Sequence, residues 1–239
     1  MKAQERHQLK QNEIAITAGR FLTAVAAHRD RIILGAVVLV AVGAAAGGYV
    51  YWKGRTEDQA SALLAQAMAV SQAPIVPAPT VPGATQQAGT YPTEQAKLEA
   101  ARKGFEQVVG SYPSTASGEA ARYHLGSVLL MMGRHAEAEA AFRDLGGRSA
   151  SLYGQAARLG LAQALAAQAK YADAIKTLTD LSAERDGAMP VDGVLMELAR
   201  VSEKAGKREE ARAAFRRVVD EFPESPYVPE ARARLSAMG

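Results

Sequence analysis

Between residues 32 and 52 the chain reads IILGAVVLVAVGAAAGGYVYW, 21 positions without a charged side chain. At about 1.5 Å of rise per residue such a helix is roughly 31 Å long, which matches a hydrocarbon core of about 30 Å. Arg31 and Lys53 bound the run, and Tyr49, Tyr51 and Trp52 stand at its far end. Amphipathic rings favour the lipid–water boundary. The pattern predicts one transmembrane helix over 32–52, in contact with the bilayer. Ala44-Ala45-Ala46 before Gly47 has the small side chains of a cleavage site. However, the preceding 31 residues and the length of the apolar run exceed what a signal peptide uses, so the segment reads as a retained anchor. Gly43 and Gly47, with Gly35 two turns earlier, make a small-residue face on which a second membrane helix could pack.

The pattern changes on either side. In 1–31, Ile14, Ala18, Phe21, Leu22 and Val25 share one helical face, and Thr17, Arg20, Thr23 and Arg29 lie largely away from it. This basic tail reads either as an amphipathic helix on an anionic membrane surface or as an extension of the membrane helix. In 53–71 an apolar stripe of Leu63, Leu64, Ala67 and Val70 predicts a helix that leads into the repeats and must pack its apolar face on something. Residues 72–92 hold five of the ten prolines and no charge, so they form no regular helix. They read as a disordered insertion, folded back between two helices rather than extended.

From residue 93 to 239 the pattern repeats. Ala101, Ala138, Ala174 and Ala211 recur at intervals of 36–37 residues, each followed four positions later by Phe105, Phe142, Leu178 or Phe215. The last three alanines follow turns at Gly133-Arg134, Ala169-Lys170 and Gly206-Lys207. The block from Phe105 to Pro113 recurs 110 positions later, from Phe215 to Pro223. A period of this length is the signature of stacked helical hairpins, none of which can bury its own apolar face. Small alanines let paired helices cross closely, and the Phe or Leu fills the groove between hairpins. Helical pairs are expected at 118–146, 150–184 and 191–222. A split pair at 57–71 and 93–111 precedes them, and a closing helix at 225–237 completes the array. The fold class expected is all-α: an N-terminal transmembrane helix followed by an α-solenoid.

Charge refines the layout. Residues 1–31 carry six basic and three acidic side chains, while 53–239 hold the other 22 of the 28 basic residues and 22 of the 25 acidic ones. The whole net charge of +3 therefore lies in the tail. That bias orients the tail towards the cytoplasm and the large domain outside. A neutral repeat domain lacks the basic footprint of a nucleic-acid binder. The chain has no cysteine, which removes disulfides, thiolate metal sites, a Cys nucleophile and a lipidated Cys. Of the four histidines, His7 and His28 lie in the tail, and His124 and His135 have no ligand-like spacing. No phosphate loop or nucleophile elbow is present. No cofactor or metal is expected, and an enzyme is disfavoured.

The repeats resemble the tetratricopeptide repeat. Leu125-Gly126, Gly133, Ala138 and Phe142 follow its pattern, with Arg122 where an aromatic leads. Leu161, Ala162, Leu165, Tyr171, Ala174 and Leu178 form a looser unit, as do Leu198, Ala199, Gly206, Ala211 and Phe215. The resemblance implies a protein-binding concave face built by the first helix of each pair. Carried onto this sequence, that face takes Tyr123, Ser127 and Met131, then Leu159 and Gln163, then Met196, Arg200 and Lys204. Periodicity leaves Tyr123 and Leu159 open between groove and core. Asn12 is the only asparagine, so the Lys/Asn clamp that some such repeats use for a C-terminal carboxylate is missing.

The wider layout is similar to YfgM-type inner-membrane proteins of bacteria. It has a short basic tail, one membrane helix ending in Tyr49-Val50-Tyr51-Trp52-Lys53, an apolar helix and degenerate repeats. That resemblance implies a single-pass inner-membrane protein whose repeats face the periplasm, ancillary to the SecYEG translocon. Its partners would be translocon subunits, periplasmic chaperones or emerging chains. The insertion at 72–92 departs from that family's compact form. The Tyr112-Pro113-Ser114 and Phe222-Pro223-Glu224-Ser225 blocks also look like CpoB-type envelope proteins and BamD-type lipoproteins. The former suggests an envelope assembly or cell-division adaptor as the alternative. The latter needs a Cys that is absent.

Overall fold

The computed structural model describes residues 29–78, 85–147, 152–184 and 189–239. The tail expected to carry an amphipathic helix lies almost entirely outside them. The chain divides into two units, up to Arg55 and from Thr56 onward.

Helix α1 spans Arg29–Ser71. In the first unit every described side chain from residue 37 to Arg55 is exposed, including Leu39 at 74% and Trp52 at 63%. A helix that is apolar all round needs a nonpolar environment on every side. By length and composition this segment can cross a membrane. At its end the Tyr49 and Trp52 rings stand 6.3 Å apart, and the Arg55 guanidinium lies 5.7 Å from the Tyr51 ring centre.

The second unit is a stack of helices: the end of α1, then α2 (Glu94–Ser111), α3 (Ala116–Met131), α4 (His135–Gly146), α5 (Leu152–Ala167), α6 (Tyr171–Ser182), α7 (Val191–Lys204), α8 (Arg208–Glu221) and α9 (Val228–Ala237). Consecutive helices from α2 onward pack as neighbours, and α3 also touches α5. The described residues contain no strand beyond an isolated bridge between Ile75 and Tyr91. That bridge closes the proline-rich segment: Val76 N–H donates to the Tyr91 carbonyl at 2.9 Å, and Tyr91 N–H to that of Pro74 at 3.1 Å. The Gln86 amide adds a bond to the Val76 carbonyl at 2.9 Å. The described ends of the segment are thus pinned to each other, and residues 79–84 lie outside the described residues.

Each hairpin turns by the same device. Gly133, Ala169 and Gly206 have φ of 72°, 58° and 73°. The next residue, Arg134, Lys170 or Lys207, donates its N–H at 2.9 Å to the carbonyl five positions back. This left-handed cap satisfies carbonyls that the helix end would otherwise leave unpaired. Ala138, Ala174 and Ala211, the recurring alanines, each donate to the carbonyl of that same residue. The connections between pairs repeat too. Tyr112 and Phe222 end α2 and α8 at nearly identical torsions, φ −136° with ψ 53° and φ −132° with ψ 61°, ahead of a proline.

The recurring residues form the core. Phe105, Phe142, Phe215 and Leu178 are at most 1% exposed, and the four alanines are fully buried. One cluster joins α1 through α5 and the other α5 through α9, with Leu161 packed against both. Glu57 supports the first cluster from α1. One carboxylate oxygen accepts from Ala116 N–H at 2.9 Å, and the other from the Ser117 N–H and hydroxyl at 3.0 and 2.6 Å. A carboxylate at a helix N-terminus meets unpaired donors and the positive end of the helix dipole.

Candidate functional site

The first helices of the pairs, α3, α5 and α7, line two adjoining cavities. The first, of about 460 Å³, lies between α3 and α5 over the α4 ring of Phe142. The second, of about 540 Å³, lies between α5, α7 and the turns at Met189-Pro190 and Pro226-Tyr227. Leu159 and Gln163 line both, so α5 is the ridge between them.

The two cavities differ in chemistry. Tyr123, Leu130, Met131 and Leu159 make the first largely apolar. Its polar groups come from Ser127, whose hydroxyl is spent on the Tyr123 carbonyl at 3.1 Å, from Gln163 and from the Tyr123 hydroxyl. Tyr123 sits at the edge of an aromatic cluster, with ring centres 6.0 Å from Phe142, 5.7 Å from Tyr153 and 5.4 Å from His124. His124 stacks on Phe105 at 5.4 Å, and burial lowers its pKa below the ordinary 6.5. The second cavity is lined by Asp192, Glu197, Arg200 and Tyr227 among apolar and proline side chains. Arg200 makes two bonds to Glu230, at 3.1 and 2.7 Å, which raise the guanidinium pKa and lower that of the carboxyl. Asp192 accepts the Ser225 hydroxyl at 2.6 Å and the Gly193 N–H at 2.9 Å.

Six of the eight residues assigned to the concave face line this groove: Tyr123, Ser127, Met131, Leu159, Gln163 and Arg200. Met196 and Lys204 line neither cavity. Met196 is 1% exposed and belongs to the second core cluster, and Lys204 is exposed outside the groove. Periodicity marks a helix face as apolar but does not say which neighbour covers it. Gly43 and Gly47 stand in the first unit, and apart from the adjoining backbone of their own helix no described atom lies within 4 Å of where a Cβ would be.

Several groove residues carry no signal in the linear pattern. Asp192, Glu197 and Tyr227 look like ordinary surface positions in the chain, and the fold alone assembles them. Gly160 does carry one: it follows Gly126 by 34 positions, close to the repeat period.

The structural likeness is to repeat proteins. The tetratricopeptide-like repeats of a Podosopora anserina protein described as a kinesin light chain superpose with a TM-score of 0.52 at 20% identity, over 61% of this chain and 78% of that one. That crystal structure is of a single-substitution form. A second structure of the same repeats gives the same score, identity and share of this chain, with 79% of its own covered. A tetratricopeptide repeat protein from Parabacteroides merdae aligns at 15% identity with a TM-score of 0.49, over 61% of this chain and 55% of that one. At these identities the likeness is one of fold. No curated protein matches the chain. A family model described as a tetratricopeptide repeat-like domain matches residues 26–226 of the 239, and on that extent the chain belongs to the tetratricopeptide repeat-like family.

Proposed function

We propose that this protein is a membrane-anchored scaffold of the bacterial envelope, an accessory of the Sec translocon and its periplasmic chaperones. In this reading residues 32–52 cross the inner membrane, the basic tail stays in the cytoplasm, and the repeats hold proteins in the periplasm. The observation that supports this reading is the extent of the family match, residues 26–226, which takes in both the apolar helix and the repeats. Tetratricopeptide-like repeats serve protein–protein interaction, and a helix apolar on all sides suits lipid.

The test is purification of the tagged full chain from its own membranes in mild detergent, with identification of the proteins that accompany it. Translocon subunits or membrane-tethered chaperones support the proposal. Recovery of division or outer-membrane assembly proteins instead would shift it to an envelope adaptor, and a chain that leaves the membrane in carbonate would end the anchor reading. The absence of cysteine makes the orientation directly measurable. Ala88→Cys should react with an impermeant maleimide from the periplasmic side, and Ala3→Cys should not.

A further inference from the structure

We propose that the groove selects a cationic, extended segment of a protein partner, with an apolar side chain in the first cavity and a lysine or arginine in the second. This rests on the protein-binding reading of the repeats. The first cavity offers Tyr123, Met131 and Leu159, with Met131 62% exposed although it is a large apolar side chain. The Ser127 hydroxyl is already spent on the Tyr123 carbonyl and most of the lining is apolar, which favours an apolar occupant.

The second cavity carries excess negative charge. Glu230 takes up Arg200 through two bonds, and Glu197 stands 3.9 Å from that same guanidinium. Among the described residues, Asp192 accepts from the Ser225 hydroxyl and the Gly193 N–H, neither of which carries a charge. Among the described residues that line the cavity, two carboxylates, Asp192 and Glu197, face the single cation of Arg200, which Glu230 already engages. The Tyr227 ring lines the same cavity, and an aromatic face beside carboxylates favours an ammonium or guanidinium group. A partner carboxylate would meet Asp192 and Glu197 and be repelled. Packed helices stand about 8–10 Å apart, and a chain extended in the polyproline II form advances about 3.1 Å per residue with side chains three positions apart on one face. An apolar side chain and a cation about three residues apart therefore reach the two cavities on either side of the α5 ridge.

The probes are fluorescent decapeptides of Ser, Gly and Ala carrying Leu and Lys three positions apart, with variants in which Lys becomes Glu or Leu becomes Ser. With the full chain in detergent, the Leu/Lys peptide should bind at least about tenfold more tightly than the Leu/Glu peptide, and less so as salt rises. Glu197→Lys should reverse that preference with thermal unfolding unchanged, and Met131→Ala should weaken the Leu/Lys peptide towards the Leu-to-Ser one. Equal affinity for Lys and Glu peptides, no binding of either, or indifference to Glu197→Lys overturns the proposal. A photo-crosslinker at Gln163 in native membranes separates this failure from a wider one. Crosslinks to other proteins that persist in Glu197→Lys leave the scaffold reading standing and remove the charge selection. Crosslinks only to a second copy of this chain overturn the proposal in favour of self-association. No crosslink removes both readings.

Discussion

The ring of Phe142 occupies the place where a side chain at residue 160 would begin: a Cβ built on Gly160 comes within 2.6 Å of its Cζ. A Cβ built on Gly126 of α3 would come within 2.6 Å of Cε1 of the same ring, so one phenyl group of α4 is held between two glycines of successive first helices. The ring is 1% exposed and also floors the apolar cavity. Gly160→Ala should therefore lower stability by about 1–3 kcal/mol through overpacking, visible as a lower thermal midpoint. Adding Phe142→Leu should recover part of the loss. If Gly160→Ala melts with the parent, the ring is not clamped.

Ala169 adopts φ 58° where its two counterparts are glycine. The left-handed region costs a non-glycine residue about 1–2 kcal/mol, partly offset by the unfolded-chain entropy that glycine adds. Ala169→Gly is expected to raise stability by about 0.5–1 kcal/mol, and Gly206→Ala to lower it by a similar amount. Chemical denaturation resolves both, and a loss on Ala169→Gly would contradict the turn assignment.

Met196 and Met131 separate core from groove. Met196, at 1% exposure, should cost about 2–5 kcal/mol when cut to alanine. Met131, at 62%, should stay within about 0.5 kcal/mol. Similar unfolding midpoints for the two alanine variants would show that Met196 is not core.

Acid should act on the repeats in two windows. His124 has its pKa lowered by burial, so the unfolded chain binds the proton first and stability falls as the pH drops below 6.5. His124→Phe, which keeps a ring against Phe105, should remove that slope. Glu139 has its pKa lowered by its bond to Lys170, with Gln168 also donating to it, at 2.8 and 2.7 Å. Its contribution is fully present above the ordinary 4.5 and disappears as the pH falls through the lowered value. The thermal midpoint of Glu139→Gln should thus lie below that of the parent at neutral pH and converge with it in acid. A gap that stays constant down to pH ~3 would exclude the linkage.

The helices, their pairing and most of the core are readable from spacing alone. Ala138, Phe142 and their equivalents recur because each hairpin must bury the same two positions, so local periodicity and global packing report the same constraint. The apolar stretch at 32–52 is legible as a candidate for crossing a membrane, by its length and lack of charge. Tertiary structure decided what periodicity could not. It buried Met196, left Met131 open, brought Asp192, Glu197 and Tyr227 around one cavity, and set Glu57 on the N-terminus of α3. These outcomes depend on which residues distant in the chain come to cover a given face, and a one-dimensional pattern records only that the face exists.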